Sequence, residues 1–415
     1  MSIQPKAKTL KTFNDPIYGF ITIEDALIFK IIEHPYFQRL RRITQLGLTN
    51  LVYGGANHSR FQHTMGAMNL MKQAIATLRT KGFEITEEEE RASKLAILMH
   101  DIGHGPFSHA LENTIVRGVH HEAISLQIMH DLNTEFDGAL SLAIQIYEGT
   151  YHVKFLHQLV SSQLDTDRLD YLKRDSFFTG VSEGVISSER IIKMLTIHDG
   201  ELAVEAKGIY SVEKFLIARR LMYWQVYLHK TVLSAEFLLM NILLRAKELA
   251  QSGTEVPAPF ALHFFLKQNE MLSLKEHANW LPLFLKLDDV DVMAAIKQWT
   301  NHEDHVLREL CNRLLYRRLL KTKELSSPLS VEKQTTYQAQ LAEKLGWTVD
   351  ETRYLFFERS LTNTAYNPES EMIKILFKDG TLRDISEAAT IFRFSSLAAQ
   401  ETKNYLYFPE NMSLA

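Results

Sequence analysis

The chain has 415 residues, with 46 lysines and arginines against 50 aspartates and glutamates, a formal net charge of −4, and a single cysteine, Cys311. That length allows one large core or two to three structural units, the charge balance excludes a protein built to coat nucleic acid while leaving room for a local basic patch, and one thiol excludes an intramolecular disulfide. No run of about eighteen apolar residues occurs and the opening MSIQPKAKTLKTF has no apolar signal core, so a cytoplasmic chain without a membrane span is expected.

Taken in order, residues 10–24 join Asn14-Asp15-Pro16 and Gly19 to short β-branched and aromatic runs, which predicts a small hairpin. From Asp25 the stripe Leu27, Ile28, Ile31 and Ile32 is helical, Pro35 restarts a helix and Gly47 closes it. Arg39, Arg41 and Arg42 in that helix read equally as a solvated face or a phosphate contact, because three arginines in four positions point in several directions. A glycine-containing loop over 50–60 precedes the next helix, where Arg60 and His63, three apart, can bring a phosphate-binding fork beside a metal ligand. Glu87 to Glu90 suit a solvated helix N-terminus.

The stretch Leu98-Met-His-Asp-Ile-Gly-His-Gly-Pro-Phe-Ser-His109 places three imidazoles and a carboxylate within twelve residues, directly after the apolar run Ala92–Met99. That run predicts a buried helix delivering His100 and Asp101 to its end, where a buried carboxylate beside an imidazole needs a partner and a metal ion is a natural one. Gly103 and Gly105 end the regular turn, and Glu112, three residues past His109, can orient that imidazole. His120 and His121 open another helix.

In SSQLDTDRLDYLKRDSFFTG, Asp167, Tyr171 and Asp175 follow at i, i+4 and i+8 and share one helix face, with Arg168 on its flank. Such a face is a polar lining, whereas Asp170 and Arg174 read as an exposed ion pair on another side. Residues 195–209 predict a hairpin turning at Asp199-Gly200. From Ser211 one long apolar helix runs to about residue 249, with Tyr223, Trp224 and Tyr227 read as core or interface, Arg219, Tyr223 and Tyr227 on a common face, and Lys230 one position off it. Shorter helices follow, broken at Gly253, Pro257, Pro259 and Pro282, and the polar Ser326-Ser327-Pro328 marks a boundary. We therefore expect a unit over 1–325 and a mixed α/β subdomain over 326–415, the latter with helices near 333–360 and a turn at Asp379-Gly380. No repeat, glycine-rich phosphate loop or dinucleotide fingerprint occurs, so function rests on residues 39–230.

His63, then His100-Asp101, then Asp167 resembles the H…HD…D signature of the HD-domain metal-dependent phosphohydrolases. The strings QRLRRITQLG, SRFQHTMG, HDIGHGPFSH and TDRLDYLKRD resemble the branch that includes the deoxynucleoside triphosphate triphosphohydrolases, over about residues 13–235. This resemblance implies a mainly α fold, an HD-domain helical core with small β-hairpins. It also implies that His63, His100, Asp101 and Asp167 bind a divalent metal (manganese, iron, magnesium, nickel or zinc), and that His104, His109, Glu112 and His121 are the catalytic histidines and their orienting carboxylate. By the same resemblance Arg60 and Arg168 hold phosphates, Tyr171 and Asp175 lie near the sugar, Gln45 and Leu46 flank the nucleotide, and Arg219, Tyr227 and Lys230 close the pocket. A dNTP substrate cut to deoxynucleoside and triphosphate, a homo-oligomer (dimer or tetramer) and a nucleotide activator are further expectations from the branch. Three departures stand out: the branch has Asp where this chain has Glu112, its human member has a glutamine at the position of Leu228, and Glu33, near Arg41 where a regulatory guanine-nucleotide site begins, replaces an Asp. A phosphomonoesterase or phosphodiesterase, and a regulator that binds nucleotide or nucleic acid without turnover, are the alternatives.

Overall fold

A computed structural model describes residues 11–112, 114–268, 271–363, 372–389, 401–410 and 412. As expected, the fold is mainly α, with eighteen helices and nine short strands among the described residues. The predicted N-terminal hairpin forms as β1 (Lys11–Asp15) and β2 (Gly19–Ile23), paired antiparallel. It leads into α1 (Ala26–Glu33) and α2 (Pro35–Gln38), whose proline sits in the first turn, where its missing N–H costs nothing.

The helices that build the site follow. α3 (Arg60–Thr80) starts at a capping box in which Ser59 and Gln62 satisfy each other's backbone N–H, and α4 (Glu87–Met99) starts at the same device from Thr86 and Glu89. The Glu87–Glu90 run accordingly occupies the first turn of α4, where the helix dipole favours negative charge. α5 (His109–Glu112) is a single turn, followed by α6 (His121–Glu135), α7 (Ser141–Glu148), α8 (Lys154–Val160) and α9 (Thr166–Thr179). The Asp165 carboxylate caps α9, and Gly180 ends it in the left-handed conformation. α10 (Ser188–Met194) precedes β3 (Leu195–His198) and β4 (Glu201–Glu205), the hairpin predicted at Asp199-Gly200, where both turn residues have positive φ.

The long helix expected from Ser211 is interrupted. α11 (Ile209–Met222) widens into a π-helical turn over Tyr223–Tyr227, leaves helical geometry at Leu228 and His229, and resumes as α12 (Lys230–Gln251). An all-round apolar pattern carries no sign of such a break, because neither glycine nor proline marks it; the side chain of His229 caps the restart instead. Four further helices follow, α13 (Phe260–Lys267), α14 (His277–Phe284), α15 (Asp289–Trp299) and α16 (His305–Leu315); α13 and α16 pack on α12, with α14 against α13 and α15 against α16.

The C-terminal part supplies β5 (Lys321–Leu325), α17 (Val331–Leu345), β6 (Phe357–Asn363), β7 (Lys374–Leu376), β8 (Leu382–Asp384), α18 (Ile385–Ala388) and β9 (Glu401–Phe408). β9 lies between β5 and β6, while β7 pairs parallel with β4, giving the order β3-β4-β7-β8. Backbone ladders thus cross position 326 twice. No helix among the described residues is long and apolar enough to cross a membrane.

Candidate active site

Three helices meet at the HD stretch. α4 is buried from Leu95 to Met99, so its C-cap, His100, and the next residue, Asp101, emerge inside the protein. His63 comes from the end of the first turn of α3 and Asp167 from the first turn of α9. The ligand-type atoms of His63, His100 and Asp101 all lie within 4.8 Å of one another. Asp167 Oδ1 stands 3.0 Å from His63 Nε2 and 3.4 Å from His100 Nε2.

The outer nitrogen of each imidazole is already committed. His63 Nδ1 lies 2.8 Å from Asp170 Oδ2, and His100 Nδ1 lies 2.6 Å from the Ile97 carbonyl, an acceptor only. Nδ1 therefore carries the proton on His100, and on His63 as a neutral ring donating to Asp170, leaving both Nε2 lone pairs facing Asp101 and Asp167. Both Nε2 atoms are buried without a hydrogen-bond partner. Two orphaned lone pairs beside two carboxylates, with the opposite nitrogens fixed from outside, fit a divalent cation. Without that charge, protons take its place: burial opposes charging of His63, yet Asp167 and Asp170 raise its pKa to about 10. Burial likewise opposes ionisation of Asp101, yet His100, His104 and Arg60 hold it well below the usual carboxylate range. The Asp167 side chain is 25% exposed against at most 12% for the other three, so the centre opens on that side.

Behind Asp101 the sequence folds tightly. Arg39 is buried and donates to the carbonyls of Leu287, Ile102 and His104 at 2.7–3.0 Å, with its guanidinium over the Phe284 ring. Arg42 pairs with Asp288 and Arg41 covers Phe61. Of the three arginines read as solvated or phosphate-binding, Arg41 and Arg42 are exposed, while Arg39 is buried and serves packing. Gly103 is required by a close approach, since a Cβ there would lie 2.4 Å from the His121 carbonyl oxygen and the Ser125 nitrogen.

That approach brings the predicted proton-handling group together. The rings of His104 and His121 stack at 3.7 Å, His121 Nδ1 lies 3.1 Å from Glu112 Oε1, and His104 Nε2 lies 3.3 Å from Asp101 Oδ1. Burial and the nearby Arg60 charge hold His104 well below the usual imidazole range, so it is neutral at pH 7. His109 opens α5, and its side chain lies outside the described residues.

Beside the centre lies a cavity of about 370 Å³, in the range that accepts small ligands. Its lining includes Gln45, Leu46, Arg60, Tyr171, Asp175 and Tyr227 of the predicted residues. Arg60 joins cavity to centre: it donates to Asp101 Oδ2 at 2.6 Å and to Ser108 Oγ at 2.9 Å, and its Nε is unpartnered. Asp175 accepts from Tyr227 at 2.7 Å and stands 2.7 Å from His58 Nε2.

Arg168 and Arg219 stand close enough to Tyr171 of the cavity for their charges to act on it, but their guanidinium groups are held by other side chains, and Lys230 lies elsewhere. Arg168 pairs with Asp165, and Arg219 donates to Gln163 at 2.9 Å. Lys230 lines a separate groove with Arg317, Arg318 and Lys321, because the π turn and the gap at residues 228–229 rotate it away from the face that carries Tyr227. Asp170 and Arg174, read as an exposed pair, do pair but are wholly buried, with Arg174 also bound to Asp15 of β1 at 2.9 Å. Sequence reasoning also missed Tyr223 and Glu236 of the cavity, and His58. A lone acid inside the apolar run LSAEFLLMN was the available signal for Glu236.

Comparison with known proteins gives the same outline. Residues 60–172 match the HD domain and residues 186–253 match the HD associated region. The crystal structure of a phosphohydrolase from Bacteroides thetaiotaomicron superposes with a TM-score of 0.94 at 49% identity, over 96% of this chain and all of that one. The uncharacterized protein YwfO of Bacillus subtilis is 32% identical over 97% of this chain and 93% of its own. A deoxynucleoside triphosphate triphosphohydrolase SAMHD1 homolog of Dictyostelium discoideum is 30% identical, over 61% of this chain and 52% of that protein.

Proposed function

The chain belongs to the HD-domain phosphohydrolases, and from that premise we propose that it hydrolyses deoxynucleoside triphosphates to deoxynucleoside and triphosphate. One observation carries the reading: Arg60 is shared between the metal-type cluster and an adjoining cavity of about 370 Å³, which puts a phosphate-binding cation at the border of a ligand-sized space. In this reading His63, His100, Asp101 and Asp167 hold the divalent ion, which when bound supplies Lewis-acid polarisation of the phosphate and a lowered pKa for water.

The chain's own groups would do the rest. Arg60 neutralises phosphate oxygens, with Arg168 available to do so if it leaves Asp165. Water oxygen bonds to the α-phosphorus, the bond from that phosphorus to the 5′ oxygen breaks, and the 5′ oxygen takes a proton. His121 has Glu112 3.1 Å from Nδ1 and Glu122 3.3 Å from Nε2, and would give that proton from Nε2 on leaving Glu122, with His109 as its alternate. His104, kept neutral by burial and Arg60, stacks on His121 and adds no charge beside it. Tyr171 and the His58–Asp175–Tyr227 network would face the sugar, with Gln45 and Leu46 beside it.

Product analysis by ion chromatography tests this, with each dNTP and with GTP, in Mn²⁺, Mg²⁺ and EDTA samples. Metal-dependent tripolyphosphate is the expected product. Orthophosphate would replace the reading with a phosphomonoesterase, and binding without turnover would replace it with a sensor. A dimer or tetramer, with exposed apolar side chains at Phe177, Tyr210 and Phe260 available to pack between copies, belongs to the same proposal, as does a nucleotide activator. Mass photometry with and without GTP checks both.

A further inference from the structure

The cavity beside the metal-type cluster contains one acid that nothing above uses. Glu236 projects from α12 into it, half-buried, with no hydrogen bond or ion pair to any described residue. Its surroundings are apolar: a Cβ placed on Gly47 would stand 3.9 Å from both Glu236 Oε1 and the Phe107 ring, and Leu46, Leu228 and Leu233 line the same cavity. Burial lifts its pKa to about 7, and its charge in turn disfavours ionisation of the buried Tyr407. The cavity thus has a cation, Arg60, where it meets the metal-type cluster, and the Glu236 carboxyl among its apolar lining residues.

An unpartnered carboxyl in an apolar wall costs stability unless a ligand completes it. A second unsatisfied acceptor lines the same cavity, the buried Oε1 of Gln45. The space thus calls for a ligand that brings anionic oxygens to Arg60 and hydrogen-bond donors to the other end. Among the four bases only guanine presents two adjacent donors on its pairing edge, the N1 hydrogen and the 2-amino group, which match the two oxygens of one carboxylate. Adenine and cytosine each present a donor beside an acceptor, and the acceptor would face a carboxylate oxygen.

We propose that Glu236 reads the base of the bound nucleotide and selects guanine by accepting from its N1 and 2-amino donors. The inference rests on the nucleotide reading above, and binding is measured as well as turnover so that the two can fail separately. Wild-type protein and Glu236→Gln are compared with dGTP, dATP, dCTP and dTTP, first by the ligand-induced rise in melting temperature, then by release of tripolyphosphate. In the wild type, dGTP gives the largest rise and the highest kcat/KM. Glu236→Gln lowers kcat/KM for dGTP by about tenfold or more, the scale of a two-bond base contact, and leaves the other three within about twofold. Equal losses for all four nucleotides, or a guanine preference that survives in Glu236→Gln, overturns the proposal. A Glu236-dependent preference for dGTP in melting without any tripolyphosphate keeps the base assignment and removes the triphosphohydrolase reading. Should Glu236→Gln fail to fold, Glu236→Asp, which withdraws the carboxylate by one methylene, must show the same selective loss.

Discussion

Asp170 Oδ2 lies 2.8 Å from His63 Nδ1, and neither side chain has any exposure. This contact fixes which nitrogen of His63 faces the cluster and makes that nitrogen a better donor. Asp170→Asn keeps an acceptor but loses the charge, so Mn²⁺ affinity, read by isothermal titration calorimetry, falls about 10- to 100-fold while the circular dichroism spectrum persists. Unchanged affinity in a folded variant would remove Asp170 from the site.

The cluster itself is tested at His100 and Asp101. His100→Ala and Asp101→Ala abolish metal-dependent turnover and bound metal by elemental analysis; turnover at the wild-type rate in either variant contradicts the assigned ligands.

Proton linkage gives a third expectation. The His63 pKa is raised from 6.5 to about 10 in the metal-free site, so the stability gained by its protonated form is complete below pH 6.5 and is lost as pH climbs through 10. Chelator-treated protein accordingly melts at falling temperature between pH 6.5 and 10, whereas added Mn²⁺, which replaces those protons, stabilises more as pH rises through the same interval. A Mn²⁺ effect that shrinks with pH would falsify this linkage.

Packing between α3 and α9 leaves no room at Gly66, where a Cβ would come within 2.0 Å of Asp170 Oδ1 and 2.2 Å of Arg174 Nη2. Gly66→Ala forces a buried ion pair apart, and chemical denaturation should register a loss of about 1–3 kcal/mol together with weakened metal binding. A stabilised variant would mean that α3 and α9 can separate freely.

Arg39→Lys removes a planar fork from three carbonyls, and lysine's single ammonium cannot span them. Differential scanning calorimetry should show a lower Tm by several degrees, with metal affinity reduced because the Ile102 and His104 carbonyls lie in the HD loop.

Much of this was legible in the chain. The HD stretch announces itself because His100, Asp101, His104 and His109 crowd a helix end that has no packing use for them, and the hairpins at residues 10–24 and 195–209 follow from turn chemistry. What stayed hidden depends on burial and helix phase. The pair Asp170 and Arg174 looks the same on a wet or a dry face at i,i+4 spacing, and only the approach of α3 decides which. Arg39 gives no local sign that three distant carbonyls await it. Lys230 was misplaced by a π turn that carries no glycine or proline and shifts every later side chain around the helix axis.

The ion pair between Asp15 and Arg174 has a practical corollary for anyone expressing fragments of this protein. Through Arg174 and Asp170, the last residue of the first strand is three links from His63. A recombinant piece trimmed to residues 60–172, the span that matches the HD domain, would retain every ligand assigned here, yet it would lack Asp15, Arg39 and Tyr227. Sequence-defined boundaries would therefore yield a domain with the right letters and an unsupported metal centre, and useful truncations should begin upstream of Lys11.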